Sequence, residues 1–140
     1  MVRIQVDEEI FLKLVEEGDA KQLFSLIDQS RNYLRQWLPW LDTTKSIDDM
    51  YFFIKESRNN FAKNKSFVAC IVYKGEIVGI ASFNHFDWFN KTTSIGYWLG
   101  EAYQGKGIMT RVVRALTDYA FHELNLNRVE IRAAVGNKKS

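Results

Sequence analysis

The chain has 140 residues, of which 46% are hydrophobic and 26% are charged, and its formal net charge is +2. These values are typical of one globular domain and give no electrostatic case for a nucleic-acid surface. No apolar run has the length of a membrane span or resembles a signal peptide, and the single cysteine cannot form an intrachain disulfide, so we expect a cytoplasmic protein without a membrane partner.

The first half of the chain predicts one strand followed by two helices. Ile10–Val15 has the composition of a strand, and a helix with one apolar face begins at Gly18-Asp19. The only proline, Pro39, is expected to break a helix end. Ser46 and Asp49 have the spacing of a capping box, with Asp in the place of Glu or Gln, and they predict the start of the second helix.

The second half predicts three strands, a helix and a last strand. The first two strands, Phe67–Tyr73 and Glu76–Phe83, flank Lys74-Gly75 and should form an antiparallel hairpin. The remaining predicted elements are a strand at Thr92–Leu99, an amphipathic helix at Ile108–Leu124 and a strand at Arg128–Val135. The order β-α-α-β-β-β-α-β predicts an α/β (α+β) fold, with helices on both faces of a mixed, mostly antiparallel sheet.

The last predicted strand has no following element to cover it. A strand that follows a crossover helix usually pairs parallel to its predecessor, and here it would form a sheet edge. Gly136–Ser140 has the composition of an approach to another helix. We therefore expect residues 1–140 to be a single domain that is incomplete at its C-terminus or completed by a partner chain, and a homo-oligomer is one arrangement that would cover the edge.

The turn Gln104–Thr110 leads into the predicted long helix, and its two glycines leave backbone N–H groups uncovered, which suits phosphate oxygens. Three phosphate-binding patterns compete for it. A Walker loop fits Gly100–Lys106, but Gly107 stands where a magnesium-binding hydroxyl is needed, and a Rossmann fingerprint needs one more glycine. The third pattern, Gln/Arg-x-x-Gly-x-Gly/Ala, fits except for Met109 at its last position.

With its flanking residues, this turn resembles the GNAT superfamily of N-acetyltransferases. The segments that carry the resemblance are Ile95–Gly100, Tyr103–Thr110, Asn127–Glu130 and Gly136–Ser140. They are most similar to the branch that acetylates the N-termini of ribosomal proteins (the RimJ/RimL type), where methionine is common at the position of Met109. The resemblance implies a GNAT-type sheet without its C-terminal helix and strands.

The implied activity is transfer of an acetyl group from acetyl-CoA to a primary amine, above all the N-terminal amine of a ribosomal protein, without a metal. A small amine, such as a polyamine or an aminoglycoside, is the alternative acceptor. A CoA-binding module that has lost turnover is the alternative to an enzyme.

The resemblance also implies the roles of individual residues. The backbone of Tyr97, Trp98 and Leu99 would pair with the pantetheine arm, and the backbone amides of Gly105–Thr110 would hold the pyrophosphate. The implied cofactor-binding residues are Tyr97, Trp98, Leu99, Gln104, Gly105, Lys106, Gly107, Ile108, Met109, Thr110 and Asn137. Ser140 would protonate the departing CoA thiolate, and the general base of the branch is a carboxylate beyond residue 140.

Other residues have a functional and a structural interpretation that the sequence leaves open. Aromatic and basic residues near predicted loops could line the acceptor entrance or pack a helix end; they are Arg31, Arg35, Trp37, Trp40 and Trp88. Glu101 and Asp87 are candidate bases by proximity in sequence alone. His85 and His122 have no partners at metal-ligand spacing, and Cys70 has the setting of a small core residue.

Overall fold

The computed structural model describes residues 3–36, 38 and 41–132. The strands are β1 (Arg3–Gln5), β2 (Ile10–Leu14), β3 (Phe67–Tyr73), β4 (Glu76–Phe83), β5 (Thr92–Leu99) and β6 (Arg128–Arg132). The α-helices are α1 (Ala20–Gln29), α2 (Arg31–Leu34), α3 (Ile47–Ala62) and α4 (Ile108–His122). Short 3-10 helices lie at Glu17–Asp19, Leu41–Thr43 and Glu101–Tyr103.

The described strands form one six-stranded sheet in chain order from β1 to β6. Each neighbouring pair from β1 to β5 is antiparallel, and β5 and β6 are parallel. Helix α4 is the crossover that a parallel pair requires. The predicted mixed, mostly antiparallel sheet is therefore confirmed.

Helices cover both faces of this sheet, as predicted. Side chains alternate between the faces along β5, so Ile95, Tyr97 and Leu99 pack in the core beneath α4. Trp98 points the other way and packs with residues of α1 and α3, including Ile27 and Ile54. Strand β5 therefore separates two apolar cores.

Short sequence motifs correctly predicted the start of α3 and the hairpin of β3 and β4. Ser46 and Asp49 form the predicted capping box at the start of α3, where the Asp49 N–H donates to Ser46 Oγ at 3.4 Å and the Ser46 N–H donates to Asp49 Oδ2 at 3.1 Å. The hairpin of β3 and β4 turns at Lys74-Gly75, with Tyr73 in register with Glu76.

The structure also contains elements that the sequence pattern did not predict. Strand β1 has three residues with only Ile4 buried, and α2 is a single turn, so neither carries a readable periodicity. Helix α4 ends at His122 rather than Leu124, because the chain turns back there and Asn125 takes a φ of 56°. Positions 133–135 of the predicted last strand lie outside the described residues.

Candidate functional site

The turn between β5 and α4 has a backbone that favours glycine. Gly105 has a φ of 78° and Gly107 a φ of 73°, both in the left-handed region. A Cβ at either position would meet no atom within 4 Å, so open space lies next to both residues. The turn can therefore accept a ligand against its backbone.

The backbone N–H groups of residues 105–110 make no hydrogen bond to any described residue. Gly107 is the N-cap of α4 and has no side chain to cap it, while the first residues of a helix have no acceptor one turn earlier. These donors, together with the positive end of the helix dipole, make an anion-binding site.

The start of α4 is fixed to the rest of the fold. Ile108 and Met109 are buried in the core beneath the helix, whereas Lys106 and Thr110 are exposed. Arg111 Nη1 lies 2.8 Å from Asp7 Oδ2 and 3.1 Å from Glu9 Oε1, which ties the first turn of α4 to the turn between β1 and β2. The donors of the glycine turn are thus held in place before any ligand binds.

The ion pair to Arg111 changes the titration of its partner. Burial alone raises the pKa of the Asp7 carboxyl, but hydrogen bonds from the Glu9 N–H and the Arg111 guanidinium outweigh it, so this pKa lies below its ordinary value of 3.8. Hydrogen bonds to Asp7 and Glu9 likewise raise the pKa of Arg111. Both groups therefore stay charged near neutral pH.

The last residues of β5 present backbone groups at an edge. The Asn84 N–H donates to the Ser94 carbonyl and the Gly100 N–H donates to the Val78 carbonyl, so the alternating pattern turns the N–H and C=O groups of Tyr97 and Leu99 away from β4. Register with β6 runs from Thr92 to Gly96, and a parallel pair at Gly96 engages the N–H of the next residue, so the Tyr97 carbonyl and both backbone groups of Leu99 lie beyond the described part of β6. The Leu99 carbonyl accepts a hydrogen bond of 3.2 Å from Gln104 Nε2.

The side chains of β5 near this edge are buried. Among the described residues, the Tyr97 hydroxyl is the buried side-chain oxygen or nitrogen without a hydrogen-bond partner. Trp98 is also buried, and its backbone groups face β4. Of the three predicted pantetheine partners, the geometry therefore leaves the Tyr97 carbonyl and the N–H and C=O groups of Leu99 at the edge.

The two candidate bases have different positions. Glu101 is exposed in the 3-10 helix that connects β5 to the glycine turn, and its N–H donates to Ser30 Oγ at 2.9 Å. Asp87 pairs with Thr92 at the start of β5, roughly 23 Å from Leu99 at the usual rise along a strand. Asp87 is therefore not brought to the turn.

The arginines that were candidates for the acceptor entrance hold a loop together. Arg31 donates to the carbonyl oxygens of Leu41 and Thr44 at 3.2 and 3.1 Å. Arg35 Nε lies 3.1 Å from a carboxylate oxygen of Asp42. These contacts anchor the connection between α2 and α3. Trp37 and Trp40 lie outside the described residues.

Trp88 lines an aromatic cavity of about 210 Å³. Its ring stacks on Phe86 with centroids 4.7 Å apart, and its indole N–H donates to the Asn64 carbonyl at 2.8 Å. The cavity lies at the start of β5, at the opposite end of the strand from the glycine turn. Trp88 thus packs in a separate region from the candidate anion site.

The single cysteine is a buried core residue, and the described residues hold neither a metal site nor a membrane-spanning helix. Cys70 is fully buried with Sγ 3.5 Å from Asp19 Oδ2, and burial raises the pKa of its thiol. Within the described ranges, no group of His, Cys, Asp and Glu could hold a metal ion. None of the described helices is both long enough and apolar enough to cross a membrane. The predicted site residues Asn137 and Ser140 lie outside the described residues.

A polar cluster that the sequence did not predict lies on the face of the sheet opposite α4. Ser82 Oγ donates to Asn84 Oδ1 at 2.7 Å, and Asn84 Nδ2 donates to Ser94 Oγ at 3.3 Å. A Cβ at Gly96 would lie 3.0 Å from Asn84 Nδ2, so the amide lies over the bare backbone of Gly96. An isolated glycine within a strand signals such a close approach, and Gly96 carried that signal.

The chain matches the family model described as an acetyltransferase (GNAT) domain over residues 9–140. It is 39% identical over 141 residues to the Bacillus subtilis protein named "Putative ribosomal N-acetyltransferase YdaF", covering 100% of this chain and 77% of that protein. It is 31% identical over 137 residues to the Escherichia coli ribosomal-protein-serine acetyltransferase, with coverage of 98% and 76%.

A solved structure has the same fold. The microcin C7 self-immunity acetyltransferase MccE, in complex with acetyl-CoA and AMP, superposes with a TM-score of 0.88 and is 34% identical, covering 96% of this chain and 74% of that one. Together with the family match over nearly the whole chain, this agreement confirms the predicted family. The protein therefore belongs to the GNAT acetyltransferase family.

Proposed function

We propose that this protein transfers the acetyl group of acetyl-CoA to the N-terminal amine of a protein, with ribosomal proteins as the expected acceptors. The observation that carries the cofactor assignment is the run of unpaired backbone N–H groups at residues 105–110, next to the open edge of β5. The relatives named for acetylation of ribosomal proteins support the acceptor class.

In this proposal, the backbone of the glycine turn binds the pyrophosphate of acetyl-CoA. Gly105 and Gly107 keep side chains away from the phosphates, and the N-terminus of α4 favours their negative charge by roughly 0.3–1 kcal/mol for each contact. The pantetheine arm pairs with the Tyr97 carbonyl and with the N–H and C=O groups of Leu99. The side chains of Gln104, Ile108 and Met109 support the turn, and Lys106 and Thr110 border it.

The reaction needs no covalent enzyme intermediate. The neutral amine attacks the thioester carbonyl carbon, a C–N bond forms, the C–S bond breaks, the amine loses a proton and the CoA thiolate gains one. A backbone N–H at the β5 edge stabilises the oxyanion during this attack. Most of the rate enhancement comes from holding the two reactants together.

Calorimetry with CoA tests the cofactor assignment, and no binding at millimolar CoA would contradict it. Release of free thiol from acetyl-CoA, followed with N-terminal peptides and with small amines, tests the acceptor class. We expect release with peptides that begin with serine or alanine. Release with polyamines or aminoglycosides alone would contradict the protein acceptor, and binding without release would favour a non-catalytic module.

Several parts of the proposal stay predictions. Asn137 is predicted to contact the CoA arm and Ser140 to protonate the thiolate. A cytoplasmic location and a homo-oligomer are also predicted.

A further inference from the structure

The side chain of Asn84 is held in place by two serines of the sheet. Ser82 and Ser94, which are only 8% and 9% exposed, hydrogen-bond to its two amide heteroatoms. Ser82 Oγ also lies 3.5 Å from the Gly96 carbonyl oxygen, which ties the cluster to β5. The amide plane therefore has one position on the sheet, although the residue itself is exposed.

Half of the hydrogen-bonding capacity of this amide is unused by the described residues. A primary amide has two N–H donors and an oxygen with two lone pairs, and the serines take one donor and one lone pair. One donor and one acceptor remain on the exposed side. That pair complements the C=O and N–H of a peptide group, whereas a polyamine ammonium offers donors only.

The amide also lies next to the proposed reaction centre. Gly96 immediately precedes Tyr97, whose carbonyl lies at the edge of β5 just beyond its register with β6, and one strand residue spans about 3.3 Å. An amine placed at the thioester beside Tyr97 therefore has its first peptide group within reach of Asn84.

We propose that Asn84 binds the first peptide group of the acceptor protein and thereby selects N-terminal peptides over small amines. This inference rests on the proposed function and names a substrate-binding residue for it. Two charged residues of β6 are in register with this cluster. Glu130 lies beside Ser94, and Arg132 lies beside Gly96. Glu130 and Arg132 pair with each other at 3.6 Å, whereas the amide of Asn84 keeps one donor and one acceptor that the serines do not use.

The test uses two acceptors with the CoA-loaded protein. One is a short peptide that begins with serine, and the other is its ester analogue, in which oxygen replaces the first peptide N–H. Calorimetry should show that the wild-type protein binds the ester about tenfold more weakly, the effect of one lost hydrogen bond. Asn84→Ala should bind the peptide and the ester equally, while Asn84→Asp keeps the acceptor oxygen and should keep the preference for the peptide.

Controls separate binding from folding and from the cofactor. Affinity for CoA should be unchanged in both Asn84 variants, and Asn59→Ala, at an exposed asparagine of α3, should behave as wild type. Equal discrimination by wild type and Asn84→Ala would overturn the inference, as would failure of the CoA-loaded protein to bind the peptide. Failure to bind CoA at all would overturn the proposed function as well.

Discussion

The chain turns twice on a Lys-Gly pair. Lys74-Gly75 joins β3 to β4 and Lys106-Gly107 leads into α4, with φ values of 85° at Gly75 and 73° at Gly107. In the hairpin, the Lys74 N–H donates to the Glu9 carbonyl at 2.8 Å, whereas the N–H groups around Gly107 have no acceptor among the described residues. A left-handed glycine thus marks both turns, and the second differs by a run of consecutive unpaired N–H groups at the start of a helix.

The largest expected difference between the two turns is in CoA affinity after the glycine is replaced by glutamate. Gly107→Glu should weaken CoA binding by about 100-fold or more, because a Cβ and a carboxylate would face the pyrophosphate. Gly75→Glu, the matched control in the hairpin, should leave the affinity near wild type. Calorimetry with both folded variants decides this, and equal affinity in the two would mean that the phosphates bind elsewhere.

The sequence was sufficient for elements with a local signal. Periodicity and turn chemistry predicted β3, β4 and β5, and the Ser46 and Asp49 spacing predicted the start of α3. Strand β1 could not be predicted, because its three residues gain strand structure only from pairing with β2. Helix α2 is equally short.

The candidate site likewise contains one part that the sequence predicted and one residue that it did not. The glycine turn was visible in the sequence, because its donors come from consecutive backbone positions. Asn84 was not, since its place over Gly96 depends on the register of β4 with β5, where Ser82 pairs with Gly96. Asp87 is a candidate base only by proximity in sequence, and the extended β5 carries it away from the turn.

A smaller difference is expected for alanine at the two glycines. Gly75→Ala and Gly107→Ala should each lower the free energy of unfolding by about 1–2 kcal/mol, because both positions have a left-handed backbone. Only Gly107→Ala should also weaken CoA binding. Urea denaturation with and without CoA measures both effects, and added CoA should stabilise Gly75→Ala as much as it does wild type.

Glu9 lies between the two turns and pairs with both Arg111, at 3.1 Å, and Lys74, at 3.5 Å. Arg111→Ala should lower the free energy of unfolding by roughly 0.5–1 kcal/mol, since these groups are partly exposed. Asp7 has a lowered pKa, so its contribution is present above pH 3.8 and is lost as the pH falls through its folded-state pKa. As the pH falls below 3.8, Arg111→Ala should therefore lose less stability than wild type. If the free energy of unfolding fell equally with pH in both proteins, the pair of Asp7 and Arg111 would not have this role.

The smallest expected effect is on CoA affinity when the lysine of either turn is replaced. Lys106 is exposed beside the unpaired donors, so Lys106→Ala should weaken CoA binding by about threefold at low salt, the range of a solvent-exposed charge contact. Raising the ionic strength should reduce that difference, because the charges are screened. Lys74→Ala should leave CoA binding unchanged at every salt concentration, since Lys74 pairs with Glu9 in the hairpin. An equal loss in both variants would indicate a general effect of net charge, and the lysine of the second turn would then have no specific part in holding the phosphates.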